Sequence, residues 1–157
     1  MEAKTTVVAF ADLADEARRE RVADALREAF GRDFERQGVA GDRVAFFLAQ
    51  NFQAHNALLT LWEGDDLLAT AAYVKSGDDL FLCNVLALPA HRGRGHARRM
   101  VREAERAAAA AHGSRAPLRL WCSKPLVPFY EALGYAWTQR SRIARDEFVE
   151  VMAKRLD

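Results

Sequence analysis

The sequence predicts an α/β fold in which a mixed central sheet is flanked by about four helices. Three observations predict it. Residues 57–88 hold three apolar, strand-like runs separated by the turn strings Glu63-Gly64-Asp65-Asp66 and Ser76-Gly77-Asp78-Asp79, the pattern of an antiparallel meander. After Pro89 the apolar spacing switches to the period of a helix. Another strand-like run, 117–122, follows that helix. It and the run before Pro89 are therefore expected to lie parallel, joined by a right-handed crossover.

Taken in order, residues 5–10 read as a short first strand. Asp12 or Asp15 can cap a helix running toward Phe30, with Val22, Leu26, Ala29 and Phe30 on one face and Gly31 as its stop. Residues 33–42, polar with two glycines, read as a loop, and 43–52 as a second helix burying Val44, Phe47 and Leu48. Strands are expected over 57–62, 67–74 and 80–88. The long helix after Pro89 sets Ala97, Met100, Val101, Ala104, Ala107, Ala108 and Ala111 on one face. Arg98, Arg102, Glu105 and Arg106 fall on the other, and Gly113 ends it. Residues 125–133 form a short helix with proline in its first turn and Gly134 just past its end. Strands over 135–138 and 148–153 close the chain.

Composition narrows the function. A chain of 157 residues is sized for one domain, 1–157, and 50% hydrophobic with 29% charged residues is a globular balance. A net charge of +1 argues against binding nucleic acid or an anionic membrane through bulk charge, so any basic site must be local. No apolar run approaches the ~20 residues of a membrane helix. The opening Met1-Glu2-Ala3-Lys4-Thr5-Thr6 lacks the positive flank and apolar run of an export signal. Cys83 and Cys122 lie in separate apolar runs with no CxxC spacing, so neither a disulfide framework nor a metal site is expected. The reading is a reduced, cytoplasmic chain.

Chemistry concentrates in Leu86-Ala87-Leu88-Pro89-Ala90-His91-Arg92-Gly93-Arg94-Gly95-His96-Ala97. A strand ends, a tight turn follows, and an amphipathic helix begins at or near Gly95. Small residues at 93, 95 and 97 let the backbone approach a ligand, and the N–H groups of residues 93 to 98 are free at the positive end of the helix dipole. Arg92, Arg94, Arg98 and Arg99 surround this nest, and a diphosphate is its natural occupant. Each contact contributes only ~0.3–2 kcal/mol, so several must act together. Two familiar phosphate motifs fail. No G-x-x-x-x-G-K-S/T string exists, and Gly93-Arg94-Gly95-His96-Ala97-Arg98 has arginine where a dinucleotide loop needs its last glycine.

Arg92-Gly93-Arg94-Gly95-His96-Ala97 instead resembles Q/R-x-x-G-x-G/A, the signature of the GCN5-related N-acetyltransferase (GNAT) superfamily. Phe129-Tyr130-Glu131-Ala132-Leu133-Gly134-Tyr135 resembles the F-Y-E-x-L-G-F/Y element of that superfamily, and the likeness in strand order extends over roughly residues 57 to 138. The resemblance implies a GNAT-like sheet in which the antiparallel meander is followed by a splayed parallel pair, with acyl-CoA held in the gap. It implies that the backbone of Val85, Leu86 and Ala87 pairs with the pantetheine arm, an N–H near Leu86 polarising the thioester carbonyl. By the same likeness Arg92, Gly93, Arg94, Gly95, His96, Ala97 and Arg98 hold the diphosphate, with Ser123 and Phe129 also at the cofactor. Tyr130 falls where relatives place the acid that protonates the leaving thiolate, a phenol of pKa ~10 facing a thiol of ~8.5.

The chain also departs from the family pattern. The central strand carries Cys83-Asn84 where many relatives have a carboxylate base, Leu118 stands where others use glutamate, and Ser123 replaces a frequent asparagine. His55, Glu63 and Asp33 are candidate proton acceptors, with water as the alternative. Asp33, Glu35, Asp42, Glu63, Asp65 and Asp66 suggest a cationic acceptor if they face it. Read from spacing alone, Tyr130 is a core aromatic, Cys83 a small buried hydrophobe, His96 a solvent-facing first-turn residue, and the three tryptophans core or cleft lining. The expected function is acetyl transfer from acetyl-CoA to a small-molecule or peptide amine by direct attack in a ternary complex, with oligomeric state, a homodimer included, left open. Two other classes stand beside it: a non-catalytic acyl-CoA sensor, favoured by the missing base, and a nucleic-acid module built on basic residues 91–102.

Overall fold

A computed structural model describes residues 4–156; Met1–Ala3 of the opening segment, and Asp157, lie outside them. Seven strands form one sheet in the order β1-β2-β3-β4-β5-β7-β6. They are β1 (Thr5–Ala9), β2 (Ala57–Glu63), β3 (Asp66–Ser76), β4 (Asp79–Ala87), β5 (Leu118–Cys122), β6 (Ala136–Ala144) and β7 (Glu147–Lys154). The helices are α1 (Glu16–Arg36), α2 (Val44–Asn51), α3 (His96–His112) and α4 (Val127–Ala132). All neighbouring strands are antiparallel except β4 and β5. The expected mixed sheet with four helices is present.

Two cores explain the layering. On one face α3 presses Met100, Val101, Ala104 and Ala108 onto Leu59, Leu61, Leu80, Leu82 and Leu118 of the sheet, and Tyr130 and Leu133 join them from the α4 side. On the other, Val22 and Leu26 of α1 and Val44 and Leu48 of α2 meet Leu58, Trp62, Leu67 and Leu86. Each such side chain contributes roughly 1.5–3 kcal/mol on burial. The sheet is therefore covered on both sides.

The structure corrects several expectations. Asp15 caps α1, accepting from the Ala17 N–H at 2.9 Å, but the helix does not stop at Gly31. A kink at Phe30 (φ −126°, ψ 22°) carries it on to Arg36, so residues 33–36 are helix and not loop. Phe34, 5% exposed, accounts for this: burying its ring offsets the weak helix propensity of Gly31. Ala29 is exposed, and the inner face of α1 uses Ala23 and Ala25 instead. Ala111 is exposed too. Glu105 is not a solvent-side residue of α3; it accepts from the Tyr135 hydroxyl at 2.8 Å and from Lys154 Nζ at 3.1 Å. Both closing strands are longer than predicted, with Asp146 at φ 61° in their turn. Among the described residues no helix is long and apolar enough to cross a membrane.

Candidate active site

The parallel pair is the distinctive part of the sheet. β4 and β5 are in register only at Leu80–Leu118 and Phe81–Arg119; beyond those two positions the strands separate. On its other edge β4 stays paired with β3 through Ala87, but Asn84 and Val85 together oppose the single residue Ala71. This bulge puts Asn84 at φ 51°, and Thr70 Oγ1 donates to its carbonyl at 2.7 Å. One extra residue exchanges the faces of the strand. Leu80 and Leu82 enter the α3 core, whereas Leu86 and Leu88 enter the α1/α2 core. Among the described residues the gap edge of β4 past Phe81 has no strand partner.

Beyond β4 the chain turns through Pro89–His91 into the N-terminus of α3. The Arg99 N–H bonds to the Gly95 carbonyl at 3.0 Å, so the amides of His96, Ala97 and Arg98 precede the helix's own ladder. Gly93 and Gly95 have φ of 82° and 78°, with open space where a Cβ would project. It is conformation, not clearance, that requires glycine there. A cavity of about 320 Å³ opens at this turn, bounded by Ala87, Gly93, Gly95, Arg98 and Phe129 among others. Beside it His91 Nδ1 and His96 Nε2 are buried with no hydrogen-bond partner among the described residues. Burial, with Arg94 next in weight, lowers the His96 pKa, so its ring stays neutral at physiological pH. The acyl-CoA expected from the sequence fits these residues: its diphosphate needs donors, and the free amides at the start of α3 can supply them.

Tyr130 of α4 is 7% exposed and stacks edge-on against Phe129 (4.9 Å) and Tyr135 (5.8 Å). Burial raises its pKa well above the ordinary phenol value, and the nearby Cys122 and Cys83 thiols, one from each diverging strand, raise it further. Burial likewise pushes Cys83 to about 12 and Cys122 to about 11, which removes both as thiolate nucleophiles. On the α1/α2 side of the gap lies a larger cleft of about 730 Å³, reached by Cys83, Asn84, Trp121 and Phe81 from the sheet and by Asp33 from α1.

The sequence pattern of the acetyltransferase (GNAT) family matches residues 19–135, most of the chain. The chain belongs to the GNAT family. Solved GNAT structures share its fold over nearly their whole length. An aminoglycoside 6'-N-acetyltransferase complexed with coenzyme A superposes with a TM-score of 0.78 at 15% identity, covering 97% of each chain. An aminoglycoside 6'-acetyltransferase type Ii gives 0.77 at 19% identity, again over 97% of each. An acyl-CoA N-acyltransferase from Pseudomonas aeruginosa gives 0.71 at 17%, covering 98% of this chain and 99% of that one. No curated protein sequence matches the chain.

In this GNAT fold the sequence-predicted residues fall into three groups. Ala87, Gly93, Gly95, His96, Ala97, Arg98 and Phe129 line one cavity. Val85 and Leu86 belong to the free edge of β4, where the Leu86 side chain, 9% exposed, points into the α1/α2 core. Arg92 and Arg94 are exposed beside the turn, Arg92 Nε reaching the Ala87 carbonyl at 3.5 Å, and Ser123 is exposed just past β5. His96 is half-buried, not solvent-facing. Of the candidate proton acceptors, Asp33 alone reaches the cleft. Glu63 lies at the far end of β2, near His96, and His55 is an exposed turn residue whose carbonyl meets His112 at 2.6 Å. Glu35, Asp42, Asp65 and Asp66 do not line the cleft either, which removes the acidic-surface basis for a cationic acceptor. Two features escaped sequence reasoning. His91 joins the glycine-bounded cavity one residue before the motif, and the cleft's aromatic lining comes from elements far apart in the chain.

Proposed function

We propose that this GNAT protein is an N-acetyltransferase that uses acetyl-CoA and transfers its acetyl group to a primary amine within a ternary complex. The observation that supports this best is the two-residue pairing of β4 and β5, which leaves a strand edge, a helix N-terminus and a cleft meeting at one gap. In this reading residues 1–157 form one domain, in the cytoplasm, and the pantetheine arm pairs with Val85, Leu86 and Ala87 as an added strand. The amides from Gly93 to Arg98, that of His96 included, hold the diphosphate, assisted by Arg92, Arg94 and Arg98; Ser123 and Phe129 border the carrier on the β5 and α4 side.

The chemistry follows from the groups at the gap. The amine nitrogen attacks the thioester carbonyl carbon, a backbone N–H near Leu86 stabilises the oxyanion, and the C–S bond breaks as the C–N bond stays. Tyr130 faces the departing sulfur. Because burial raises its pKa, complete proton transfer to a thiolate of ordinary basicity is strongly uphill, so its contribution is a hydrogen bond that strengthens as charge grows on sulfur. A primary amine of pKa ~10 must first lose a proton, and Asp33 with cleft water is the route to solvent. No acyl-enzyme is needed. The test is thiol release from acetyl-CoA over a broad amine panel, with mass spectrometry of the products and calorimetry with CoA. Acetylated amine is expected. A protein that binds no CoA overturns the reading, and one that binds CoA but acetylates nothing is the sensor.

A further inference from the structure

The cleft beside the gap has a chemistry of its own. Its walls are aromatic: Phe30, Phe34, Phe47 and Phe52 come from the α1/α2 side, and Phe81 and Trp121 from the two diverging strands. Phe81 and Trp121 meet edge to face at 6.2 Å, and Phe34 and Phe47 at 5.8 Å. Trp121 is nonetheless 59% exposed, an indole presented to the cleft with most of its surface free. Such a surface is stabilised by a ligand that stacks on it and removes it from water.

Charge in the cleft is equally specific. Asp33 is the one carboxylate in its lining, and Arg36 on the same helix already holds it at 3.5 Å. The other two charged residues of the lining, Arg36 and Lys75, are cationic, and Lys75 has no ion pair among the described residues. With Asp33 and Arg36 offsetting each other, the uncompensated charge of the lining is the Lys75 ammonium, which opposes a polycation. A single amine that sheds its proton to solvent and leaves as an amide meets no such opposition.

We infer that the acceptor is a hydrophobic monoamine, its amino group borne on an aromatic or branched apolar body with no second positive charge, rather than an aminosugar or polyamine. This rests on the acetyltransferase reading. It also separates this chain from the two aminoglycoside acetyltransferases whose fold it shares, since a cleft walled by six aromatic rings, with the amides of Gln37, Asn51, Asn56 and Asn84 and one carboxylate already paired to Arg36, offers a polycation little counter-charge.

The full-length chain is assayed with acetyl-CoA against 2-phenylethylamine and tryptamine on one side, and spermidine and kanamycin on the other. The arylalkylamines are expected to show kcat/KM at least ~10-fold higher. Equal or reversed preference overturns the inference. Saturation-transfer NMR with 2-phenylethylamine reads the cleft without any donor present. Trp121→Ala, at an exposed position that tolerates truncation, is expected to weaken that signal ~10-fold while Trp121→Phe retains it; binding unaffected by Trp121→Ala overturns the inference as well. CoA calorimetry separates the two readings. Loss of CoA binding removes the acetyltransferase reading but leaves the arylamine signal, whereas intact CoA binding without that signal removes the hydrophobic acceptor alone.

Discussion

The glycine-bounded cradle and the aromatic cleft lie on either side of the same diverging strands, yet they are built in opposite ways. The cradle comes chiefly from one unbroken stretch, Ala87 to Arg98, and works through backbone amides, helix polarity and two positive φ angles. The cleft comes from side chains on α1, α2, β3, β4, β5 and the β6–β7 hairpin. A backbone site needs particular glycines and a fixed order, so its sequence is constrained and local. A side-chain cleft can be relined by changing any of its walls without disturbing the fold. One family can thus keep a single carrier while its members differ in acceptor, and substitutions in the two regions should separate the two kinds of effect.

Tyr130 lies near Cys83 and Cys122 of the diverging strands and carries the proposed donor role, so its loss should have the largest effect. Tyr130→Phe keeps the ring packed on Phe129 and Tyr135 but deletes the hydroxyl, so kcat should fall ~10²-fold or more with CoA affinity nearly unchanged. A near-wild-type kcat would return the residue to packing. The pH dependence follows from the direction of its shift. A phenol whose folded pKa is raised stays protonated through the physiological range, so its donor role, and the stability it contributes, remain intact below the free-phenol value of ~10. Both are lost as pH climbs from there through the folded pKa. Stopped-flow pH profiles should therefore show no alkaline fall below pH ~10 that Tyr130→Phe removes; such a limb near pH 8 would contradict the burial of this group.

A smaller effect is expected at the turn. Gly95→Val puts a β-branched residue at φ 78°, where an L side chain is disfavoured by roughly 1–2 kcal/mol, and tilts the free amides at the start of α3. CoA affinity should weaken about 5–30-fold by calorimetry, the equivalent of that strain, while arylamine binding to the cleft stays as it was. Parallel losses on both sides would mean that the regions are mechanically coupled through β4, against the comparison drawn here.

The same contrast explains what was legible in the sequence. The meander, the α3 helix and the turn at residues 88–95 could be read because turn residues, apolar period and glycines all lie within a few positions of one another. The run of α1 past Gly31 could not, because Phe34 is buried by contacts with α2 residues, its ring edge meeting Phe47 at 5.8 Å. Glu105 read as a surface charge for the same reason: its partners Tyr135 and Lys154 lie 30 and 49 residues away. The six acidic residues suggested a cationic acceptor only while their positions were unknown, and once folded they scatter, leaving Asp33 alone in the cleft. His91 looked like part of a turn until its Nδ1 proved buried and unpartnered.

The smallest expected effect lies at the outer wall of the cleft. Ile143 of β6 and Val149 of β7 line it, and the hairpin that carries them is tied to α1 by Glu147, which accepts from Arg32 Nη2 at 2.9 Å and also pairs with Arg36. These groups are partly exposed, 79% for Arg32, 37% for Arg36 and 31% for Glu147, so solvent screens the attraction and the pairs together are worth about 1 kcal/mol at most. Glu147→Gln keeps the shape and removes the charge. The hairpin should then sample positions farther from α1, raising KM for a hydrophobic amine up to ~5-fold with kcat and CoA affinity unchanged, and the effect should shrink as salt rises because wild-type pairing is itself screened. A change confined to kcat would mean that Glu147 acts on Asp33 through the Arg36 they share, and the outer wall would then belong to the chemistry as much as to recognition.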